Sequence, residues 1–223
     1  MKNRYSTDIA NSIYSRKKLI IFILTSFYAM GVLWHALPPT FPLMMILTPY
    51  VLLIFGLFIF GAAWKEGGTR LLWWAGLTFL GTFLAEVVGV ATGAVFGEYV
   101  YGDVLGVKLF RVPLIIGFNW TIVILGIAAF LRRFVTNRVA AVLLTAVGGV
   151  LFDLLMEPIA MALGYWTWGG STVPLQNYLA WFLIGIAAAA GYMTADIQIR
   201  SIYPPLYVLI QACFFVALRF VVL

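Results

Sequence analysis

The sequence predicts an all-α, polytopic membrane bundle of about seven helices, and three observations carry that expectation. The 223 residues are 64% hydrophobic and only 10% charged, too apolar for a soluble domain. Apolar runs near the ~20 residues that a bilayer requires recur along the whole chain. The basic residues sit mainly in alternate connections and form no soluble basic patch. The net charge of +6 therefore reads as a topology signal, and no nucleic-acid partner is expected. The single cysteine, Cys213, excludes an internal disulfide and a cysteine metal cluster, and the lone His35 excludes a multi-histidine metal site.

Taken in order, residues 1–18 are polar and basic (Lys2, Arg4, Arg16, Lys17, Lys18) and read as a cytoplasmic N-terminal segment. Residues 19–37 form the first span. The run is long and no Ala-x-Ala site follows it, unlike a cleaved signal peptide. Pro38-Pro39 ends it. Further runs cover about 42–63, 71–93, 113–131, 139–163, 177–195 and 204–223, with Pro113 and Pro204-Pro205 at run starts, where proline is tolerated. With the N-terminus inside, eleven basic residues lie on the inner side and three (Lys108, Arg111, Arg219) on the outer. That asymmetry places the N-terminus in the cytoplasm and the C-terminus outside, in a multi-pass protein of the cell membrane. Residues 19–223 are expected to form one transmembrane domain with an outer loop at 94–112. The loop mixes glycines with Glu98, Tyr99, Tyr101 and Asp103, turns at Gly102-Asp103, and reads as an interfacial segment or an inward-dipping lid.

The fifth run carries the main anomaly. Asp153 and Glu157 lie one turn apart on one helix face, where each charge costs about 2.5–3.5 kcal/mol at a membrane helix centre. Pro158 cannot donate to the Leu154 carbonyl, so a weakened or kinked helix is expected there. The assumed topology puts Glu86, Asn119, Trp120, Trp166, Trp168, Asn177 and Trp181 in the same outer layer as this pair. Small residues accompany the acids: Thr82, Gly89 and Gly93 beside Glu86; Gly149, Ala160 and Gly164 beside the pair. They let helices approach, so the carboxylates are expected to face the bundle. Structural readings stand beside the functional ones. Buried acids and asparagines bridge helices, and tryptophans at an interface anchor any membrane protein.

Apolar surroundings disfavour the charged form of a carboxyl, and a second carboxyl alongside disfavours double ionisation. The pair can therefore combine one proton donor with one carboxylate, a general acid beside a general base. Aromatic faces stabilise a cation. These parts suit an apolar substrate that is protonated to a carbocation and then quenched, with the cation's stabilisation mattering more than acid strength.

The series Glu86…Gly97-Glu98-Tyr99-Val100-Tyr101…Val112-Pro113…Trp120, then Asp153-x-x-x-Glu157-Pro158…Trp166-x-Trp168, then Pro174-x-x-Asn177-Tyr178-x-x-Trp181, resembles the carotenoid biosynthesis family of membrane proteins over about residues 80–185. Its characterised members are carotenoid 1′,2′-hydratases, of the bisanhydrobacterioruberin hydratase type. The resemblance implies hydration of the terminal double bond of an acyclic carotenoid, with no redox cofactor and no metal. The implied partners are a lipophilic carotenoid, the bilayer and other carotenoid-pathway enzymes. Asp153 and Glu157 become the acid/base pair, and Glu86 supports or replaces one of them. Glu98, Tyr99, Tyr101, Asp103, Asn119, Trp120, Trp166, Trp168, Asn177 and Trp181 become substrate-binding candidates. A carotenoid cyclase shares the protonation step, and a transporter or scaffold uses the carboxylates as relay or packing groups. A prenyltransferase would need two aspartate-rich magnesium motifs. A retinal protein would need a Schiff-base lysine, and no lysine follows Lys108.

Overall fold

A computed structural model describes the backbone of residues 2–170 and 172–223, and side chains from Ser15 onward apart from residue 171. The side chains of Lys2, Arg4 and Asp8, part of the expected cytoplasmic segment, lie outside the described residues. The helices are α1 (Lys2–Ala36), α2 (Phe41–Thr92), α3 (Leu114–Leu131), α4 (Arg138–Ala162), α5 (Leu175–Thr194) and α6 (Tyr203–Val222). Among the described residues, six helices are long and apolar enough to cross a membrane.

The second helix is two arms. A straight helix of its 52 residues would run about 78 Å, more than twice the apolar thickness of a bilayer. Gly68 breaks it with φ 56° and ψ −145°, a conformation open to glycine and costly for other residues. Gly56, before the break, packs on Phe118 of α3, and Phe79, after it, packs on the neighbouring Gly117. The chain therefore reverses at Gly68 and sends both arms along α3. The runs at 42–63 and 71–93 are these arms. Seven runs in the sequence are thus six helices in the structure, the second folded back on itself.

Because lipid is as apolar as leucine, close backbone approach and hydrogen bonds hold such a bundle. A Cβ on Gly185 of α5 would sit 3.1 Å from the Cα of Ala146 in α4, so those two helices meet almost backbone to backbone. α3 is the central helix, with 67% of its length buried against 17% for the apolar part of α1. At one end of the bundle Glu66 accepts from the Ser201 amide at 3.0 Å, Arg133 donates to the Ser201 carbonyl at 2.6 Å, and Arg138 pairs with Asp196 at 3.2 Å. Asn137 caps α4 by accepting from the Ala140 amide. The helix then continues without a break through Pro158 to Ala162.

The opposite end carries four short strands: β1 (Tyr99–Tyr101), β2 (Lys108–Leu109), β3 (Val112–Pro113) and β4 (Trp166–Trp168). β2 and β3 form a tight hairpin turning at Phe110 and Arg111, both with positive φ. β1 pairs antiparallel with β4, setting Tyr99 opposite Trp168 and Tyr101 opposite Trp166. Strand alternation therefore turns all four aromatics to one face and leaves Val100 and Thr167 exposed on the other. Gly102 lets this ribbon close, since a Cβ there would overlap the carbonyl oxygen of Gly164.

Candidate functional site

The inner face of the β1–β4 ribbon covers the carboxylates. α4 presents Asp153 and Glu157 side by side, and α5 brings Asn177 between them. One amide nitrogen, Nδ2 of Asn177, donates to Asp153 Oδ2 at 2.7 Å and reaches Glu157 Oε1 at 3.4 Å. The ribbon supplies two more donors: the indoles of Trp166 and Trp168 both donate to Glu157 Oε2, at 2.9 and 3.0 Å. On the second arm of α2, Glu86 accepts from the Tyr99 hydroxyl. Burial, reinforced by the Glu86 carboxylate, pushes the phenols of Tyr99 and Tyr101 well above their ordinary value. Both stay protonated and act as donors. All three acids are at least 96% buried, as is Asn177.

Aromatic rings wall the remaining space. Trp120 of α3 stacks on Trp181 of α5 at 3.9 Å, and Phe96 also stacks on Trp181, at 5.0 Å. Tyr99 and Trp168 lie 5.0 Å apart, Tyr101 and Trp166 5.9 Å. Gly89, one turn beyond Glu86, makes room for this wall, since a Cβ would come within 2.5 Å of the Phe96 ring. The space open to the centre of a water molecule is about 20 Å³, enough for one water.

Ten of the thirteen residues singled out in the sequence line this cavity: Glu86, Tyr99, Tyr101, Trp120, Asp153, Glu157, Trp166, Trp168, Asn177 and Trp181. Three lie elsewhere. Glu98 is exposed because it has the opposite strand parity to Tyr99. Asp103 lies beyond the ribbon, fully exposed and paired with Lys108 at 2.7 Å, which holds its carboxyl below the usual range by hydrogen bond and charge. Asn119, next to Trp120 but turned around α3, accepts from Gln211 of α6 at 3.2 Å. The cavity also includes Phe96, Ile116 and Met156, which the sequence reading passed over. Met156 adjoins Glu157, Phe96 precedes the Gly-Glu-Tyr motif, and Ile116 is one apolar residue among many on α3. Among the described residues no group of three or more His, Cys, Asp or Glu side chains has the placement to hold a metal ion.

Fold and site define a polytopic helical membrane protein with a buried cluster of acids under an aromatic roof. The chain belongs to the family described as carotenoid biosynthesis protein, which matches residues 41–222. It is also 34% identical over 116 residues to the bisanhydrobacterioruberin hydratase of Haloarcula japonica. That alignment takes in 46% of this chain and 38% of the relative, so the chain spans well under half of that relative's length. No solved structure matches it. Family and relative together support a carotenoid-modifying role.

Proposed function

We propose that the protein is a carotenoid hydratase that adds water to the terminal double bond of an acyclic carotenoid end. The observation that carries this reading is the acid pair joined by one amide, beneath cation-stabilising rings, with space for one water beside it. Hydrogen bonding divides the roles. Glu157 receives three N–H donors, the pattern of an acceptor-only carboxylate, whereas Asp153 receives one from Asn177 and keeps an oxygen free to carry a proton. Asp153 gives that proton to the less substituted alkene carbon, and the π electrons form the new C–H bond. The tertiary cation left on the neighbouring carbon faces the tryptophan and tyrosine rings. Water attacks it, and Glu157 takes the proton that water loses. Transfer of that proton to Asp153 resets the pair, and the net change is addition of one water. Glu86, which accepts from the Tyr99 hydroxyl, lines the same cavity and supports the pair.

The space is too small for an isoprenoid end, so substrate entry expands it, as lids do in many enzymes. Seven crossings in the cell membrane follow if each arm of α2 spans once. Basic residues gather at the end of the bundle opposite the acids, which supports a cytoplasmic N-terminus with the acids in the outer leaflet. Pigment analysis of an acyclic-carotenoid-producing host carrying wild type or Asp153→Asn tests the proposal. A product heavier by one water is expected with wild type and is lost with the variant.

A further inference from the structure

A second cavity opens between α1, the first arm of α2 and α6, on the far side of one layer of side chains from the acids. Phe215 forms part of its wall and meets Phe152 edge-on at 5.8 Å; Tyr165 forms another part and lies 6.2 Å from Trp166. The groove encloses about 140 Å³ and its surface is overwhelmingly apolar. Yet two side chains in its wall hold buried polar atoms with no hydrogen-bond partner, His35 Nε2 and Gln211 Oε1. The two residues are 8% and 2% exposed. His35 Nδ1 faces the Gly31 carbonyl at 2.7 Å, and a carbonyl only accepts. In the neutral ring the proton therefore sits on Nδ1 and Nε2 is an acceptor. Gln211 spends its Nε2 on Asn119 and leaves an acceptor free. A buried acceptor without a donor costs about 1–3 kcal/mol.

A hydrocarbon leaves that cost in place, whereas a hydroxyl removes it. Resting on the hydratase reading of the acid cluster, we infer that this groove is a binding site for an isoprenoid chain bearing a hydroxyl group, the chemical class of the hydrated product. Aromatic and aliphatic walls hold the chain, and the hydroxyl donates to His35 or Gln211. The hydration site makes a tertiary alcohol, and the groove takes it up one side-chain layer away, on the path to lipid.

The test uses Asp153→Asn protein, so that retention is read without turnover. Purified protein is incubated with equal amounts of lycopene and its mono-hydrated tertiary alcohol, washed and extracted, and the retained pigments are quantified. The alcohol is expected to be enriched about fivefold, the worth of one buried hydrogen bond. With His35→Leu and Gln211→Leu together, the ratio falls to one while lycopene retention persists. Equal retention of both pigments by the Asp153→Asn protein overturns the inference without needing a folded groove variant. Enrichment that survives the double replacement overturns it too, because the alcohol is then held elsewhere. Failure of the hydratase reading shows separately, as wild type that makes no heavier pigment.

Discussion

Replacing Glu157 with glutamine separates the chemistry of the acid pair from its structural duty. Glutamine keeps the shape and one carbonyl oxygen. Turned toward the ribbon, that oxygen still accepts from the indoles of Trp166 and Trp168, which now lie 2.9 and 3.0 Å from Glu157 Oε2. The amide nitrogen then faces Asn177 Nδ2, already the long contact of the cluster at 3.4 Å. Each indole bond changes from charged to neutral and weakens by about 1 kcal/mol. Relief from burying a charge offsets part of that loss. The stability change is therefore expected to stay within about 2 kcal/mol. Glu157→Leu instead strands two buried indole N–H groups, at about 1–3 kcal/mol each, and is expected to lower the folded yield. Glutamine cannot take the proton from the attacking water, so hydration should fall by about 10²–10⁴-fold, the usual contribution of a positioned base. The assay pairs hydrated pigment formed per folded protein with thermal unfolding in detergent. Glu157→Gln that retains more than about a tenth of wild-type activity would refute the assignment of Glu157 as base.

Other consequences follow from the same geometry. Asp103→Asn should leave hydration unchanged, because the side chain is fully exposed and outside the cavity. Lys108 holds the Asp103 carboxyl below its usual range, so the pair supports the fold at neutral pH and its contribution disappears as pH falls through that lowered value. The test compares thermal unfolding of wild type and Asp103→Asn between neutral pH and about pH 3, near the usual aspartate range; any difference at neutral pH should shrink on acidification. Gly102→Ala forces a methyl against the Gly164 carbonyl and should cost about 1–3 kcal/mol, read as a lowered Tm together with lost activity as the ribbon is displaced. Tyr99→Phe removes the hydroxyl that Glu86 accepts from. It should reduce hydration less than Glu157→Gln does, and a larger loss would give Glu86 a direct part in proton transfer.

Much of the site was legible because its parts are local. Asp153 and Glu157 share a helix face by their spacing alone, and the glycines beside them and beside Glu86 mark close approach. The limits of α3 to α6 follow the apolar runs closely, since membrane length fixes them, whereas α1 begins at Lys2, well before the run at 19–37, and α2 joins two runs. The ribbon was not legible. Tyr99-Val100-Tyr101 and Trp166-Thr167-Trp168 each alternate with period two, but nothing local joins two short segments so far apart in the chain. Without that pairing, parity could not be assigned, and Glu98 looked as eligible as Tyr99. Asn119 was hidden in the same way: its partner Gln211 lies on another helix, and only packing shows which way it turns. The gap between the runs at 42–63 and 71–93 marked a connection, but not that the hydrogen-bonded helix folds back at Gly68.

The most direct measurement is the mass of the pigment formed from an acyclic carotenoid by the wild-type protein in a host that otherwise leaves the carotenoid unchanged. A product heavier by one water, formed with wild type and absent with Asp153→Asn present at equal level in the membrane, is the expected result. An isomer of unchanged mass would contradict hydration and make the acid pair the proton source of a cyclase. No new pigment from any of several acyclic carotenoids would remove the catalytic reading of the pair.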